Sequence, residues 1–147
     1  MITVVLVRHA DIDLPPASTD PPLNSHGHAR AEALAHVAGA AGVATVLHSP
    51  FLRTRQTVAP LAARLELQPR EAPAPATLAK QVRAGELGEV ILIAGHSNTV
   101  PQMIGALGVP AALPSIGEHE FDNLFVVAIA EPDEAGLLHL RYGPPST

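Results

Sequence analysis

Three short segments of the chain carry histidine and arginine residues of types that together bind and attack anions. The first contains Arg8 and His9, the second contains Arg53, and the third contains His96. Guanidinium groups hold phosphate oxygens through paired hydrogen bonds with a permanent positive charge. A neutral imidazole beside that charge can attack phosphorus while donors already in place stabilise the equatorial oxygens. These residue types predict a site for phosphoryl transfer, provided the fold brings the segments together.

A parallel sheet would bring them together. Continuous apolar runs, typical of strands buried on both faces, occupy residues 4–7 and 90–94, and a weaker run occupies residues 43–47. Each run ends directly before or close to one of the three segments. Because ligands of open parallel sheets bind beyond the carboxyl ends of the strands, we expect the four side chains to converge there.

Helical patterns separate these strands. One apolar stripe contains Leu34, Val37, Ala38 and Ala41 and is followed by Gly42 as a C-terminal cap. A second stripe runs over residues 51–65 and contains Pro60, which should bend the helix. A third helix is predicted over residues 76–84, and a fourth from after His96 to Leu107, closed by Gly108.

The starts of two helices bear on the site. Ser49 is predicted to cap the second helix, with Pro50 as its first residue, which places Arg53 about one turn into the helix near its positive end. Ser97 or Asn98 is predicted to cap the fourth helix. Gly95 allows close approach of the backbone.

The C-terminal part of the chain changes character. Residues 122–130 read as a strand, residues 131–136 as a turn, and residues 137–142 alternate like a half-exposed antiparallel edge strand. The order of elements predicts an α/β fold, a three-layer α/β/α sandwich with a mostly parallel mixed sheet and a C-terminal antiparallel hairpin. We expect one domain over residues 1–147, with residues 143–147 as a frayed tail.

The amino-acid composition excludes several kinds of functional site and binding partner. The chain has no cysteine, which excludes disulfides, thiolate catalysis and cysteine-ligated zinc. The net charge of −5 leaves no basic surplus for nucleic acid or an anionic membrane. The first apolar run is too short for a signal peptide or a membrane span, so a cytoplasmic location is expected. Since no glycine-rich nucleotide-binding loop is present, no nucleotide cofactor is expected.

Four sequence patterns carry a resemblance to a known family. Residues 6–10 read Leu-Val-Arg-His-Ala and resemble the Arg-His-Gly signature of the histidine phosphatase superfamily, the phosphoglycerate-mutase-like group. Residues 49–57 resemble that family's second motif, and residues 94–98 its third. Residues 22–24, together with Gly27, resemble its helix entry. The patterns occur in family order, and their combination is specific although each alone is weak.

The resemblance implies a mechanism and a set of roles. It implies that His9 is a phosphorylated nucleophile and that Arg8, Arg53 and His96 complete a phosphate pocket. Water would then hydrolyse the phosphohistidine, with no metal and no other cofactor. Ser97 and Asn98 are weaker candidates for phosphate contacts. The implied substrate is a phosphorylated small molecule or a phosphoprotein.

The chain departs from the family pattern in two respects. Ala10 stands where the family often has glycine, a small change that we expect to be tolerated. The family's acidic residue between the second and third motifs has no clear counterpart, because Glu71 lacks the matching context. Asp11 is the first candidate for a substitute general acid. Three alternatives precede the last predicted hairpin: Glu118, Glu120 and Asp122.

The short spacing between the second and third motifs leaves little chain for a lid, which argues against a mutase. It resembles the compact branch that includes phosphohistidine phosphatases acting on signalling proteins. Three alternatives stay open: such a protein phosphatase, an inactive module that binds phosphate or phosphoproteins, and a metal-binding protein. The metal hypothesis rests on His26, His28 and His36, whose spacing matches no recognised motif. His48 lies either at the rim of the predicted phosphate pocket or at a strand end with its hydrogen bonds satisfied. Arg55 is expected to be a surface charge. The oligomeric state is open.

Overall fold

The computed structural model describes residues 1–110, 112–130 and 134–146. Over these residues the chain forms six strands and four helices. In chain order they are β1 (Ile2–Arg8), α1 (Ser25–Ala38), β2 (Thr45–His48), α2 (Leu52–Leu65), β3 (Arg70–Glu71), α3 (Pro75–Arg83), β4 (Val90–Gly95), α4 (Thr99–Ala106), β5 (Asn123–Ala130) and β6 (Glu134–Arg141).

The six strands form one mixed sheet in the order β3-β2-β4-β1-β5-β6. The pairs of β2 with β3, β2 with β4 and β1 with β4 are parallel, whereas β5 is antiparallel to both β1 and β6. The predicted mixed sheet with a C-terminal antiparallel hairpin is therefore confirmed, and β6 is an edge strand.

Helices cover both faces of the sheet. Val4 and Leu6 of β1 pack in one cluster with α3 and α4, whereas Val5 and Val7 pack in another with α1 and α2. This explains the unbroken apolar runs, because successive side chains of a central parallel strand point into opposite cores. The predicted three-layer sandwich is confirmed.

The register of α1 differs from the prediction. The helix ends at Ala38 rather than near Ala41, and Val37, assigned to the apolar stripe, is 52% exposed. The same spacing begins three residues earlier, at Ala31, and continues through Leu34 and Ala38. Leu34 and Ala38 of the predicted stripe are therefore buried, whereas Ala31 and Ala35 take the places assigned to Val37 and Ala41, because small alanine side chains allow α1 to pack closely on α2.

The starts of two helices also differ from the prediction. Helix α2 begins at Leu52, so Arg53 lies in its first turn, and the residue at the capping position is Phe51 rather than Ser49. Asn98 precedes α4 but its side chain makes no capping hydrogen bond. Pro60 lies inside α2, as the sequence predicts.

The remaining differences concern short or terminal segments. Strand β3 was not predicted, since two residues are too few to show a periodicity. Of the predicted turn, residues 131–133 lie outside the described residues, and residues 134–136 belong to β6. The frayed tail is wrong for residues 143–146, because Ser146 donates to Asp122 at 2.7 Å and the carbonyl of Pro144 accepts from Arg30 at 2.7 Å.

None of the helices in the described residues is long and apolar enough to cross a membrane.

Candidate active site

The carboxyl ends of three parallel strands bring the sequence motifs together. Arg8 at the end of β1 pairs in register with Gly95 at the end of β4, and His48 of β2 pairs with Ala94. The backbone N–H of His9 donates to the carbonyl of Gly95 at 2.8 Å. The convergence expected from the strand pattern is therefore present.

Gly95 is required by this close approach. A Cβ atom at position 95 would lie 2.9 Å from the hydroxyl of Thr99 and 3.0 Å from the terminal methyl group of Met103. A larger residue would force these side chains of α4 to shift. The methyl group of Ala10, by contrast, is fully buried among the apolar residues beside His9, which include Ile12 and Phe121.

His9 is held in one tautomer. Its Nδ1–H donates to the carbonyl of Ala10 at 2.8 Å, because a carbonyl oxygen can only accept, and Nε2 keeps its lone pair. Burial lowers the pKa of His9 to about 3, against the hydrogen bond to Ala10, and the charges of Arg8 and Arg53 lower it further. The ring is therefore neutral at physiological pH and carries an unprotonated nitrogen suited to nucleophilic attack.

Arg8 is anchored to the loop that precedes β5. One of its terminal nitrogens donates to the carbonyls of Glu118 and Glu120, both at 2.8 Å, and to that of Gly117 at 3.2 Å. Its guanidinium carbon lies 4.3 Å from the centre of the Phe121 ring. These contacts fix the cation beside His9 while most of the guanidinium stays free for an anion.

Arg53 reaches the same place from the first turn of α2. Its guanidinium carbon lies 4.7 Å from the centre of the Phe51 ring, and its Nη1 lies 3.9 Å from the carboxylate of Asp20. Nε and Nη1 of Arg53 and Nε of Arg8 are buried and have no hydrogen-bond partner among the described residues. Buried donors without partners are costly, and three of them on two cations are typical of an anion site.

His96 is the fourth side chain at the site, beside His9, Arg8 and Arg53. Burial lowers the pKa of His96 to about 4, and the charges of Arg53 and Arg8 add to the effect. Its Nε2 lies 2.8 Å from the hydroxyl oxygen of Ser49, and the Phe51 ring meets its ring edge-on at 5.3 Å. Both histidines are thus neutral beside two permanent cations.

These side chains line an open cavity of about 460 Å³, called here the His9 cavity. The candidate phosphate contacts Ser97 and Asn98 also line it. Within the described residues, Glu118 is the one carboxylate in its wall. The remaining lining residues are apolar or hydroxyl-bearing: Ile12, Leu14, Pro16, Phe51 and Thr99.

Asp11 lies elsewhere, which argues against its predicted role as a general acid. It lines a neighbouring cavity of about 270 Å³, and its carboxylate accepts from Nε of Arg30 at 2.7 Å. Because this carboxylate is engaged by Arg30 and does not line the His9 cavity, Asp11 is poorly placed to deliver a proton there. Glu120 and Asp122 are engaged as well, by the backbone N–H of Gly117 and by Ser146.

The other histidines lie outside the His9 cavity. His48 is buried and donates to the carbonyl of Ser49 at 2.7 Å, so it is a satisfied strand-end histidine. His26 lines the neighbouring cavity, and His28 and His36 are exposed. Over the described ranges, no group of three or more histidine, aspartate or glutamate side chains is arranged to hold a metal ion.

Three residues near the site have roles that the sequence did not indicate. Arg30 is buried, pairs with Asp11 and donates to the carbonyl of Tyr142 near the C-terminus. The one sequence signal for this role is its position on the buried face of α1, which can be recognised only with the correct helix register. Phe121 supports Arg8, and no sequence pattern marks it. Ser49 was assigned to a helix cap, whereas its hydroxyl contacts His96.

Comparison with known proteins agrees with this geometry. The family model of the histidine phosphatase superfamily (branch 1) matches residues 4–74, which contain His9 and Arg53. The protein histidine phosphatase SixA complexed with tungstate superposes with a TM-score of 0.78 at 21% identity, covering 95% of this chain and 97% of that one. A candidate phosphohistidine phosphatase SixA from Nakamurella multipartitia gives 0.67 at 25% identity, covering 98% and 96%.

A more distant match is the mycobacterial glucosyl-3-phosphoglycerate phosphatase with inorganic phosphate. Its TM-score is 0.68 at 14% identity, over 100% of this chain and 98% of that one. A comparison with curated proteins finds no match. Residues 4–74 thus match the histidine phosphatase superfamily model, and the fold of the chain is similar to that of the SixA structures, in agreement with the resemblance seen in the sequence.

Proposed function

We propose that this protein is a phosphatase that hydrolyses phosphate monoesters through a covalent phosphohistidine on His9. The observation that carries the proposal is the neutral, tautomerically fixed His9 beside Arg8 and Arg53, whose buried N–H donors have no partner among the described residues. The match of residues 4–74 to the superfamily model and the similarity of the fold to phosphatases support a hydrolase of phosphorylated substrates.

In the first step, Nε2 of His9 attacks phosphorus and the bond from phosphorus to the leaving oxygen breaks. The leaving oxygen takes a proton and departs as an alcohol. Nδ1 keeps its hydrogen and its bond to Ala10, which stabilises the positive charge that develops on the phosphorylated ring. Arg8, Arg53 and His96 stabilise the negative charge on the equatorial oxygens.

In the second step, water attacks phosphorus and the bond between phosphorus and Nε2 breaks. Inorganic phosphate is released and His9 returns to its neutral form. The same guanidinium groups stabilise both transition states, so the proposed cycle requires no metal ion. Ser97 and Asn98 are proposed as additional phosphate contacts on the α4 side of the cavity.

The proton for the leaving group is assigned to Glu118 rather than Asp11. Glu118 is exposed at the wall of the His9 cavity, and Arg8 fixes its backbone carbonyl at 2.8 Å. A leaving group that is already a weak base needs little help of this kind.

The openness of the cavity favours hydrolysis over mutase chemistry. The segment between α2 and β4 forms β3 and α3, and α3 packs on α4 and the sheet rather than over His9. A mutase must exclude water from its intermediate, whereas a phosphatase must admit it. The same openness, with the similarity to SixA, supports a second candidate: removal of phosphate from histidine on a partner protein.

Hydrolysis of an aryl phosphate in the presence of a chelator tests the proposal. We expect activity in the wild type, its loss in His9→Ala, and its retention in His36→Ala, which removes an exposed histidine. Equal rates for wild type and His9→Ala would contradict the covalent mechanism, and activity abolished by the chelator would contradict metal independence. Slow ester hydrolysis with rapid dephosphorylation of a phosphohistidine protein would favour the second candidate.

A further inference from the structure

We propose that Ser49 and Thr54 form a hydrogen-bonded relay that positions His96 and fixes the ring nitrogen that carries its hydrogen. This inference rests on the proposed function, since it assigns a role to the same site. Nε2 of His96 lies 2.8 Å from the Ser49 hydroxyl oxygen. That oxygen lies 2.7 Å from the hydroxyl oxygen of Thr54. We call this chain of groups the Ser49–Thr54 relay.

The direction of the relay follows from counting hydrogens. The Thr54 hydroxyl has one hydrogen and lies 2.8 Å from the carbonyl of Phe51 and 3.0 Å from that of Ser49. Carbonyl oxygens only accept, and we assign the hydrogen of Thr54 to them. With this assignment Thr54 accepts from Ser49, and Ser49 accepts from His96.

The hydrogen of neutral His96 is consequently on Nε2, and Nδ1 keeps its lone pair. Ser49 lines an adjacent apolar cavity, which shares Phe51 and His96 with the His9 cavity, and Nε2 is engaged by the Ser49 hydroxyl. Nδ1 is then the ring nitrogen of His96 that is available to a bound phosphate. A neutral Nδ1 offers no donor to a phosphate oxygen.

Phosphate binding would change this state. A dianion between Arg8 and Arg53 raises the pKa of His96, because the imidazolium then faces an opposite charge. The proton taken up goes to Nδ1, which becomes a donor to phosphate, while Nε2–H stays bonded to Ser49. The relay thus stabilises the imidazolium through the hydrogen bond from Nε2–H to Ser49. In this proposal His96 becomes cationic only when phosphate is bound.

The relay is held rigidly. Thr54 is fully buried in the first turn of α2, and His48 donates to the carbonyl of Ser49 at 2.7 Å. Ser49 and Thr54 are positioning residues, since they act through His96. A merely structural role would lower stability and leave the ionisation of His96 unchanged.

Nitrogen NMR of His96 in the whole protein tests the tautomer without relying on activity. In the wild type, we expect hydrogen on Nε2 alone, and protonation of both nitrogens when inorganic phosphate is added. Hydrogen on Nδ1 in the free protein would overturn the proposal. If the wild type hydrolyses no ester, the proposed function fails, yet the NMR result still decides the relay.

Kinetics of variants provide the second test. Thr54→Val and Ser49→Ala should lower kcat by about 10-fold to 100-fold, by analogy with partners that orient catalytic or metal-bound histidines. Both should also shift the alkaline limb of kcat to lower pH, because Ser49→Ala removes the acceptor for Nε2–H and Thr54→Val removes the group that orients that acceptor. Thr54→Ser retains the hydroxyl and should restore the wild-type profile.

Thr45→Val is the matched control. Thr45 is also buried and donates its hydroxyl hydrogen to a carbonyl, that of Leu87 at 2.6 Å, at the opposite end of β2. It should lower the melting temperature without moving the pH profile. If Thr54→Val fails to fold, Ser49→Ala gives the same readout. A pH profile of Ser49→Ala that matches the wild type would overturn the relay.

Discussion

The imidazole rings of His9 and His96 lie 5.4 Å apart between their centroids, with an angle of 58° between their planes. Burial and the two neighbouring guanidinium groups lower the pKa values of these histidines to about 3 and about 4. In the free protein the positive charge of the site therefore comes from Arg8 and Arg53. In the proposed mechanism, His9 is the nucleophile and His96 is a titratable group that responds to the ligand.

Phosphate affinity should depend on Arg53 and not on Arg55. Arg53 offers buried donors to the cavity, whereas Arg55, two residues further along α2, is exposed. We expect Arg53→Ala to weaken inhibition by inorganic phosphate by about 10-fold to 100-fold, the value of one or two charge-assisted hydrogen bonds. Arg55→Ala should change the inhibition constant less than about twofold. Equal effects of the two substitutions would place the anion elsewhere.

The pH dependence of the free energy of unfolding should report the ionisation of His9. Because the folded-state pKa of His9 is about 3 and the unfolded value is 6.5, the unfolded chain binds the proton first as pH falls. The free energy of unfolding should thus be fully present above pH about 6.5 and decrease below it by about 1 kcal/mol per pH unit from this group. His9→Gln should show a shallower decline in denaturant titrations between pH about 6.5 and 4.

The exposed His36 provides the control for that measurement. His36→Gln should follow the wild-type curve, since His36 is exposed and lies outside the His9 cavity. Parallel curves for wild type and His9→Gln would contradict the buried, neutral His9.

Asp11 should matter for stability and not for chemistry. Asp11→Asn leaves Arg30, which is 2% exposed, without its charged partner and should reduce the free energy of unfolding by about 3 kcal/mol. The value of kcat for an aryl phosphate should change less than about threefold, because Asp11 does not line the His9 cavity. A large loss of kcat in a variant of unchanged stability would restore Asp11 as the acid.

The role of Glu118 should depend on the leaving group. With an alkyl phosphate, whose leaving alkoxide needs a proton, Glu118→Gln should lower kcat by about 100-fold. With a nitrophenyl phosphate the loss should be less than about threefold, since that leaving group is a weak base. Comparing the two substrates on one variant removes differences in folding. Similar losses with both substrates would show that Glu118 is not the proton donor.

The four-residue arrangement of Arg8, His9, Arg53 and His96 was accessible from the sequence because it depends on two local features. Residue types reveal the affinity for an anion, and apolar runs reveal the strands whose ends converge. The same reasoning gave the layers of the sandwich and the edge hairpin. No contact between distant segments had to be known for any of these predictions.

The features of the site that were missed depend on contacts that local patterns do not encode. Arg30 pairs with Asp11 and also holds the carbonyl of Tyr142 at 2.9 Å, a contact that no local pattern encodes. Asp11 itself has a carboxylate beside the nucleophile in sequence, but its side chain points into another cavity. The capping role assigned to Ser49 was plausible locally, yet its hydroxyl is used by His96.

The most direct test of the account is to identify the phosphorylated residue during turnover. We predict that rapid quenching with an aryl phosphate, followed by mass spectrometry under alkaline conditions, finds phosphate on His9 of the wild type. The modification should form and decay fast enough to account for steady-state hydrolysis, should be lost on acid treatment, and should be absent in His9→Ala. Phosphate on another side chain, or steady hydrolysis by His9→Ala at the wild-type rate, would contradict it.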